Sequence, residues 1–302
     1  MQRSSWCLGR QAALSIAIVA LLTTACVGVG GQVVAPKTKG ERLYFDGMEY
    51  LAEGAFLEAQ QTFIDALKLP AYLQVTSLAR LRLGDALFHQ HKYERAVEQY
   101  ESYARRHDGS SNVPYARFRI ARSYFRMIPT EFWLLPPVFE MDLTSADKAR
   151  YHLERFIRRY PLSPFATEAA KMRTACIDLQ LAHHGYVIAF YAEREKWIGV
   201  VSRMHYVMKR FPINAHTPEN YAVLAEAYRK LGWRRRALEM NQAIAQRWSQ
   251  LVVAAQARQD AASIRAEIVR RKAAGEPDAE MPVEPPPSAR FRPERATIAE
   301  QV

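Results

Sequence analysis

Small residues and large apolar residues alternate along this chain at the spacing of two short amphipathic helices joined by a turn. Residues 43–70 show the pattern most clearly. Gly47 and Ala59 would let two antiparallel helices approach closely, and Phe63 would fill the space beside them. Gly54 lies between the two apolar runs and permits the turn. Since one such hairpin cannot bury its apolar face alone, the pattern predicts that further hairpins stack against it.

The same offsets recur further along the chain. Gly84 lies thirty-seven residues after Gly47, and counting from it again gives large apolar and small positions. Degenerate third, fourth and fifth copies follow at residues 121–161, 191–212 and 225–237. The repeat predicts an all-α fold, a tetratricopeptide-repeat right-handed solenoid of about five helical hairpins over residues 41–250. The alternative is an irregular all-helical domain.

Three segments depart from the repeat. Residues 128–145 interrupt the third hairpin with three prolines and an apolar run, which suits either a loop folded back on the solenoid or a contact with a partner. Ser145 is expected to cap the helix that follows. Residues 251–273 keep an apolar stripe in steps of three and four, which predicts a capping helix. Residues 274–302 are rich in proline and charge, and we expect them to be disordered.

The N-terminus is typical of an export signal. Residues 1–25 carry two arginines, a short apolar run and a small-residue end, and Cys26 follows directly. This arrangement resembles the lipobox of bacterial lipoproteins, which predicts acylation of Cys26 and a lipidated tether over residues 26–40. Val27 stands where inner-membrane retention would have an aspartate, so we expect the periplasmic face of the outer membrane. Simple secretion with cleavage nearby is the alternative.

Cysteine usage and charge narrow the range of partners. Removal of the signal and acylation of Cys26 would leave Cys176 alone, so no intrachain disulfide can form and Cys176 is expected to be a small buried residue. The net charge of +11 falls to +9 when Arg3 and Arg10 leave with the signal. Behind an export signal this surplus indicates acidic protein surfaces or anionic lipids as partners, and no nucleic acid.

The sequence carries no pattern of a catalytic site. G-x-S-x-G, H-E-x-x-H, a phosphate-binding glycine loop and C-x-x-C are all absent. The adjacent His183 and His184 would point about 100° apart on a helix, and His89 and His91 are spaced wrongly for one face, which argues against metal ligation. We therefore expect that the chain is not an enzyme and holds neither a cofactor nor a metal.

In a helical-repeat array the first helices of successive hairpins line a concave wall that can bind other chains. In the first three hairpins the slots that face this wall are largely aromatic, with an arginine toward one end: Tyr44, Met48, Phe88, Tyr115, Phe118, Arg122 and Phe125. Such a wall suits an extended peptide with aromatic side chains and a free carboxylate, whereas the more charged C-terminal half suits a folded partner. The alternative is that these rings only pack between neighbouring hairpins.

A family resemblance is carried by the segment EREKWIGVVSR, residues 193–203, and by the run HLERFIRRYPLSPF that begins at residue 152. Over residues 43–248 the chain resembles the BamD family of outer-membrane assembly lipoproteins. The resemblance implies a lipid-anchored periplasmic scaffold of the β-barrel assembly machinery. The N-terminal repeats of such a scaffold receive the C-terminal signals of nascent barrel proteins, and its C-terminal repeats dock on a POTRA domain of the barrel-forming BamA-like subunit.

The same resemblance assigns docking residues. Arg203 matches the arginine that meets an acidic residue of the barrel-forming subunit, and Trp197 lies in the same segment. Arg210 follows Arg203 by seven residues, so we expect both on one side of a helix as a basic edge, with a solvated helix face as the alternative. Two other functions stay open, namely a generic periplasmic repeat adaptor for pilus assembly or envelope division and a secreted enzyme with a helical domain.

Overall fold

The computed structural model describes residues 38–69, 73–131 and 133–276 of the 302-residue chain. The expected signal segment, Cys26 and the tail beyond residue 276 lie outside these ranges. The described ranges contain no strand, and none of their helices has the length and apolarity needed to cross a bilayer. They contain eleven α-helices: α1 Lys39–Glu53, α2 Phe56–Lys68, α3 Leu73–His89, α4 Tyr93–Arg106, α5 Val113–Arg126, α6 Thr144–Arg159, α7 Ala166–Glu193, α8 Trp197–Arg210, α9 Pro218–Lys230, α10 Arg234–Arg247 and α11 Val252–Ala273.

These helices form five consecutive hairpins, because each helix packs against the next from α1 to α10. The last helix, α11, packs against α10, and α1 also touches α3. The apolar core therefore runs through the stack, and its three largest clusters are centred on α1–α5, on α5–α7 and on α7–α11. The all-α hairpin-repeat fold predicted from the thirty-seven-residue spacing is confirmed.

Close approach within the first two hairpins depends on a glycine that faces an aromatic ring. A Cβ atom at Gly47 would lie 2.7 Å from Cε1 of Phe63, and one at Gly84 would lie 2.7 Å from Cε1 of Tyr100. Both rings are fully buried. Because no larger side chain fits at either glycine without moving the ring, the glycine spacing sets the distance between the two helices of each hairpin.

In the first, second, fourth and fifth hairpins the turn between the paired helices uses one residue in the left-handed region of backbone space. Gly54 has φ of 80° and Gly232 has φ of 76°, whereas His91 and Glu195 take the same place with φ of 60° and 54°. Glycine adopts this conformation at no steric cost, and other residues accept some strain. His91 follows Gly84 by seven residues, as Gly54 follows Gly47, and it preserves the turn geometry without a glycine.

Helix starts follow local hydrogen bonding, and one of them was predicted wrongly. Thr38 caps α1 through a reciprocal pair, since the Thr38 Oγ1 accepts from the Glu41 backbone N–H at 3.1 Å and Glu41 Oε2 accepts from the Thr38 N–H at 3.0 Å. At α6 the expected cap Ser145 lies inside the first turn. Asp142 stands before the helix instead, and its Oδ1 accepts from the backbone N–H of Thr144 at 3.0 Å.

The insertion 128–145 has two parts of opposite character. Trp133, Leu134 and Leu135 form an exposed tip. The following residues return to the stack: a 3₁₀ turn spans Val138–Glu140, and Val138 and Leu143 are buried against α6 and α7. The second part is therefore a loop folded back on the solenoid, as one of the two alternatives drawn from the sequence predicts. The other alternative, a contact of the exposed first part with a partner, stays a prediction.

Cys176 is completely buried in the cluster formed by α5, α6 and α7. Burial raises the pKa of its thiol to about 12, so the side chain stays protonated and behaves as a small apolar residue. The prediction of a buried structural role for Cys176 is confirmed.

Candidate binding surfaces of the hairpin stack

A buried carboxylate organises the wall formed by α3 and α5. Asp85 on α3 is almost fully buried, and its Oδ1 accepts hydrogen bonds from the hydroxyls of Tyr100 and Tyr115, each at 2.7 Å. Its Oδ2 accepts from Nη1 of Arg82 at 2.9 Å, and Nη2 of Arg119 lies 3.4 Å from Oδ1. One carboxylate thus ties together α3, α4 and α5, and two guanidinium groups surround it.

The electrostatics of this cluster keep its tyrosines as donors. Burial raises the pKa of Tyr115, and the negative charge of Asp85 raises it further. The pKa of Tyr100 is raised well above its ordinary value for the same two reasons. Both hydroxyls therefore remain protonated at neutral pH and continue to donate to Asp85, which fixes their position along the wall.

Arginine side chains also cover one of the predicted binding rings. The guanidinium carbon of Arg119 lies 4.0 Å from the centre of the Phe88 ring, and that of Arg122 lies 5.9 Å from it. Arg122 also reaches Glu168 on α7, at 3.7 Å. Phe88 and Arg119 are both buried, so at this point the wall presents the partly exposed guanidinium of Arg122 above an aromatic ring.

The structure separates the seven predicted wall residues into three groups. Tyr44, Met48, Tyr115, Arg122 and Phe125 are half-buried and keep part of their surface exposed. Phe88 is buried as described above.

The third group is Phe118 alone. The prediction that its side chain lies on the exposed concave wall is wrong. Its ring is buried in the core, stacked on Phe165 at 4.8 Å between centroids and tilted against Phe156 at 5.7 Å. The loop that leads into α7 carries Phe165, and this loop covers the slot.

A cavity of about 630 Å³ opens beside this wall. It lies where α3, the start of α5 and the loop between α6 and α7 meet, and it is lined by Arg82, Ser111, Asn112, Pro114, Tyr115, Arg159, Tyr160, Pro161, Leu162, Ser163, Pro164 and Phe165. Neither α5 nor α7 has a side-chain cap at its N-terminus. The cavity thus combines aromatic and proline walls with two arginines and with helix N-termini, which favour negative charge.

Among these lining residues only Tyr115 had been predicted from the sequence. Arg82 and Arg159 were missed because their sequence positions look like solvated helix faces. The one usable signal was the concentration of prolines at positions 114, 161 and 164, which marks two loops at the start of helices. No group of three His, Cys, Asp or Glu side chains within the described ranges is placed to hold a metal ion.

The predicted docking residues lie on α8 and do not form the expected edge. Arg203 is only 7% exposed and faces α7, where its Nη2 lies 3.4 Å from Nε2 of His183. Arg210 is 45% exposed at the side chain and lies 3.9 Å from Asp147. The prediction that both arginines share one exposed face is therefore wrong for Arg203. Trp197 is half-buried, and Nζ of Lys230 lies 5.7 Å from the centre of its ring.

The buried Arg203 has a structural connection of its own. His183 Nδ1 lies 2.6 Å from the carbonyl oxygen of Phe139, so the ring donates to the insertion through Nδ1 and can accept from Arg203 through Nε2. Burial lowers the pKa of the Arg203 guanidinium. The spacing of apolar residues around Arg203 could have revealed its burial. Val200 lies three residues before it and Val207 four residues after it, on the same face of the helix, and both are buried.

A stack of five helical hairpins with a wall for ligands defines a repeat scaffold of the tetratricopeptide class. The sequence profile of the YfiO family, described as "Outer membrane lipoprotein", matches residues 36–243. The chain belongs to this family, and the resemblance noted from the sequence is confirmed.

Individual relatives agree with this assignment. The chain is 25% identical to the outer membrane protein assembly factor BamD of Caulobacter vibrioides, over 72% of this chain and 71% of the relative. It is 26% identical to the protein of the same name from Haemophilus influenzae, over 71% of this chain and 84% of that one.

Among solved structures the chain is similar to the TPR2AB domain of yeast Sti1 in complex with pHSP90, with a TM-score of 0.38 and 14% identity, over 78% of this chain and 86% of that chain.

Proposed function

We propose that this chain is a scaffold subunit of the outer-membrane β-barrel assembly machinery, held at the periplasmic face by a lipid on Cys26. Membership of the outer membrane lipoprotein family and similarity to proteins named as assembly factors support this role. In this proposal the first three hairpins receive the C-terminal segments of nascent barrel proteins, and the later hairpins dock on the barrel-forming subunit. The scaffold binds and positions its clients and carries out no chemical step.

The cavity beside the Asp85 cluster is the observation that carries the client-binding part of this proposal. A peptide that ends in an aromatic residue presents a ring and a carboxylate within a few ångströms of each other. The cavity offers Tyr115, Tyr160 and Phe165 for the ring, and Arg82 and Arg159 for the carboxylate. Arg82 is already held by Asp85, so its guanidinium position is fixed before a client arrives. The exposed Arg159 completes the rim.

Binding of a labelled peptide that ends in phenylalanine tests this part directly. The free-carboxylate peptide should bind about 10- to 150-fold more tightly than its C-terminal amide, since a charge-assisted contact contributes roughly 1.5–3 kcal/mol. Arg159→Gln should reduce the affinity for the carboxylate peptide and leave that for the amide unchanged. Arg236→Gln on α10, which removes an exposed arginine at the far end of the stack, is the matched control. Equal binding of both peptides to the wild-type chain would exclude this cavity as the carboxylate site.

Docking on the barrel-forming subunit is assigned to α8 and its surroundings. Of the three predicted residues, Arg210 and Trp197 keep exposed surface, whereas Arg203 supports the fold from between α7 and α8. Arg210→Glu should therefore reduce co-purification with the barrel-forming subunit through like-charge repulsion, with helicity unchanged.

Arg203→Glu needs a second readout because it places a carboxylate in a buried position. Restoration of binding by an acidic-to-basic change in the partner would assign Arg203 to the interface. Loss of helicity without such restoration would limit its role to the fold.

A further inference from the structure

The tip of the insertion carries the longest run of exposed large apolar side chains within the described part of the chain. Trp133, Leu134 and Leu135 are 84%, 65% and 54% exposed. The sequence between Glu131 and Glu140 holds no charged residue. Surface apolar residues are common when scattered singly, but three consecutive ones at a loop tip indicate a contact with an apolar phase or partner.

The base of the insertion holds this tip away from the stack. Val138 and Leu143 are buried against α6 and α7, and the Phe139 ring packs on Tyr186 of α7 at 5.7 Å between centroids. The carbonyl oxygen of Phe139 also accepts from His183 at 2.6 Å. Two prolines, at positions 136 and 137, stiffen the connection between the tip and this base. These contacts fix the base of the insertion on α6 and α7, whereas the tip side chains stay exposed.

We propose that Trp133, Leu134 and Leu135 insert into the interfacial layer of the lipid bilayer to which the chain is anchored. No charged residue lies between Glu131 and Glu140, so no ion pair at the tip specifies a protein partner. A fluid apolar phase takes up exposed apolar side chains without such charge complementarity. Tryptophan favours the interface between headgroups and acyl chains, and neighbouring leucines add apolar area below it.

The expected anchor reaches far enough for this contact, which rests on the proposed lipid at Cys26. Residues 26–37 separate that cysteine from the first described residue, and twelve residues span at most about 40 Å. The tip follows α5, which contacts α3 through Tyr115 and Asp85, and α3 contacts α1. Two steps between neighbouring helices amount to roughly 20 Å. The tether enters at the N-terminal end of α1 whereas the tip follows the C-terminal end of α5, so the fourteen residues of α5 add roughly 21 Å along the helix axis. The two contributions at right angles combine to roughly 30 Å, which is less than the span of the tether. The tip can therefore reach the bilayer while the lipid remains inserted.

Quenching by brominated lipids tests the contact. The mature acylated protein is reconstituted into vesicles of phosphatidylethanolamine and phosphatidylglycerol, with or without bromine on the upper acyl chain. Bromolipid should quench a substantial part of the tryptophan emission, and Trp133→Phe should remove most of that quenching. Trp248→Phe, which removes a half-buried tryptophan at the end of α10, should leave it intact.

A second pair of variants tests the apolar tip without removing the probe. Leu134→Ser with Leu135→Ser should reduce the quenching of Trp133 severalfold, whereas Ile213→Ser with Val252→Ser, two exposed apolar positions elsewhere, should not. Flotation of the vesicles in a density gradient shows whether the wild-type protein is bound to them. Bound protein without quenching would overturn the tip contact alone. Wild-type protein that does not float with the vesicles would contradict both the lipid anchor and the tip contact. Emission that changes only when the purified barrel-forming subunit is added would assign the tip to a protein partner and overturn the proposal.

Discussion

Replacement of Asp85 provides the sharpest test of how the wall beside the cavity is held together. This single carboxylate accepts from Tyr100, Tyr115 and Arg82 and lies 3.4 Å from Arg119. Asp85→Ala would leave the buried Arg119 without its nearby counter-charge and the buried hydroxyl of Tyr100 without its acceptor. The expected effect is therefore much larger than the loss of one hydrogen bond.

The magnitude follows from the burial of these groups. Removal of one partner of a buried ion pair costs about 3–5 kcal/mol, and Asp85 and Arg119 are both buried. Tyr115→Phe removes only one of the donors and should cost about 1 kcal/mol. Glu226→Ala breaks an exposed pair with Arg229 on α9 and should cost less than about 1 kcal/mol. We therefore expect the free energy of unfolding to decrease most for Asp85→Ala, less for Tyr115→Phe and least for Glu226→Ala.

Urea unfolding followed by far-UV circular dichroism measures that series. With slopes of a few kcal/mol per molar urea, Asp85→Ala should lower the unfolding midpoint by about 1–2 M while the slope stays unchanged. The Glu226→Ala midpoint should stay close to wild type. If Asp85→Ala is no more destabilising than Glu226→Ala, the carboxylate does not hold the wall, and the preorganised cavity loses its physical basis.

Three further predictions concern packing, pH and anchoring. Gly84→Ala should destabilise the chain by about 1–3 kcal/mol, because its Cβ would lie 2.7 Å from the Tyr100 ring, whereas Gly185→Ala meets open space and should stabilise it by about 0.5–1 kcal/mol in the same urea assay. Burial lowers the pKa of His184 from 6.5 to about 3. Below pH 6.5 the unfolded state therefore binds a proton that the folded state does not bind, and the free energy of unfolding should decrease as the pH falls from 7 to 4. His184→Gln should make this decrease smaller. Cys26→Ala should move the protein from the membrane to the soluble fraction. Retention of this variant in the membrane fraction would show that another contact anchors the protein.

The hairpin stack could be predicted because its signal is local and repeated. Gly47 and Gly84 face aromatic rings at the same offset, and the turn between each pair of helices falls at a fixed distance from them. Such a pattern fixes which side chains lie inside a hairpin. It does not fix how one hairpin is rotated against the next, and that rotation decides whether a wall slot stays open. Phe118 shows the consequence, since Phe165 from the following loop covers it.

Buried arginines account for most of what the sequence reasoning missed. Arg119, Arg150 and Arg203 are all buried. Arg150 and Arg203 have a buried apolar residue three or four places away on each side, and Arg119 follows the buried Ala116 by three residues. Interpreting arginine as a surface residue hid this spacing, although a long aliphatic stem lets the side chain pass through a packed layer to reach a polar partner. The cavity was missed for a different reason, because it is assembled from α3 and two loops far apart in sequence.

Affinity purification of the chain from detergent-solubilised outer membranes, with the partners identified by mass, tests whether the chain is a subunit of the β-barrel assembly machinery. We expect that the barrel-forming subunit is recovered in near-equal amount, and that Arg210→Glu lowers its recovery while the variant remains helical. Recovery of pilus or division proteins without the barrel-forming subunit would contradict the assignment of this chain to β-barrel assembly.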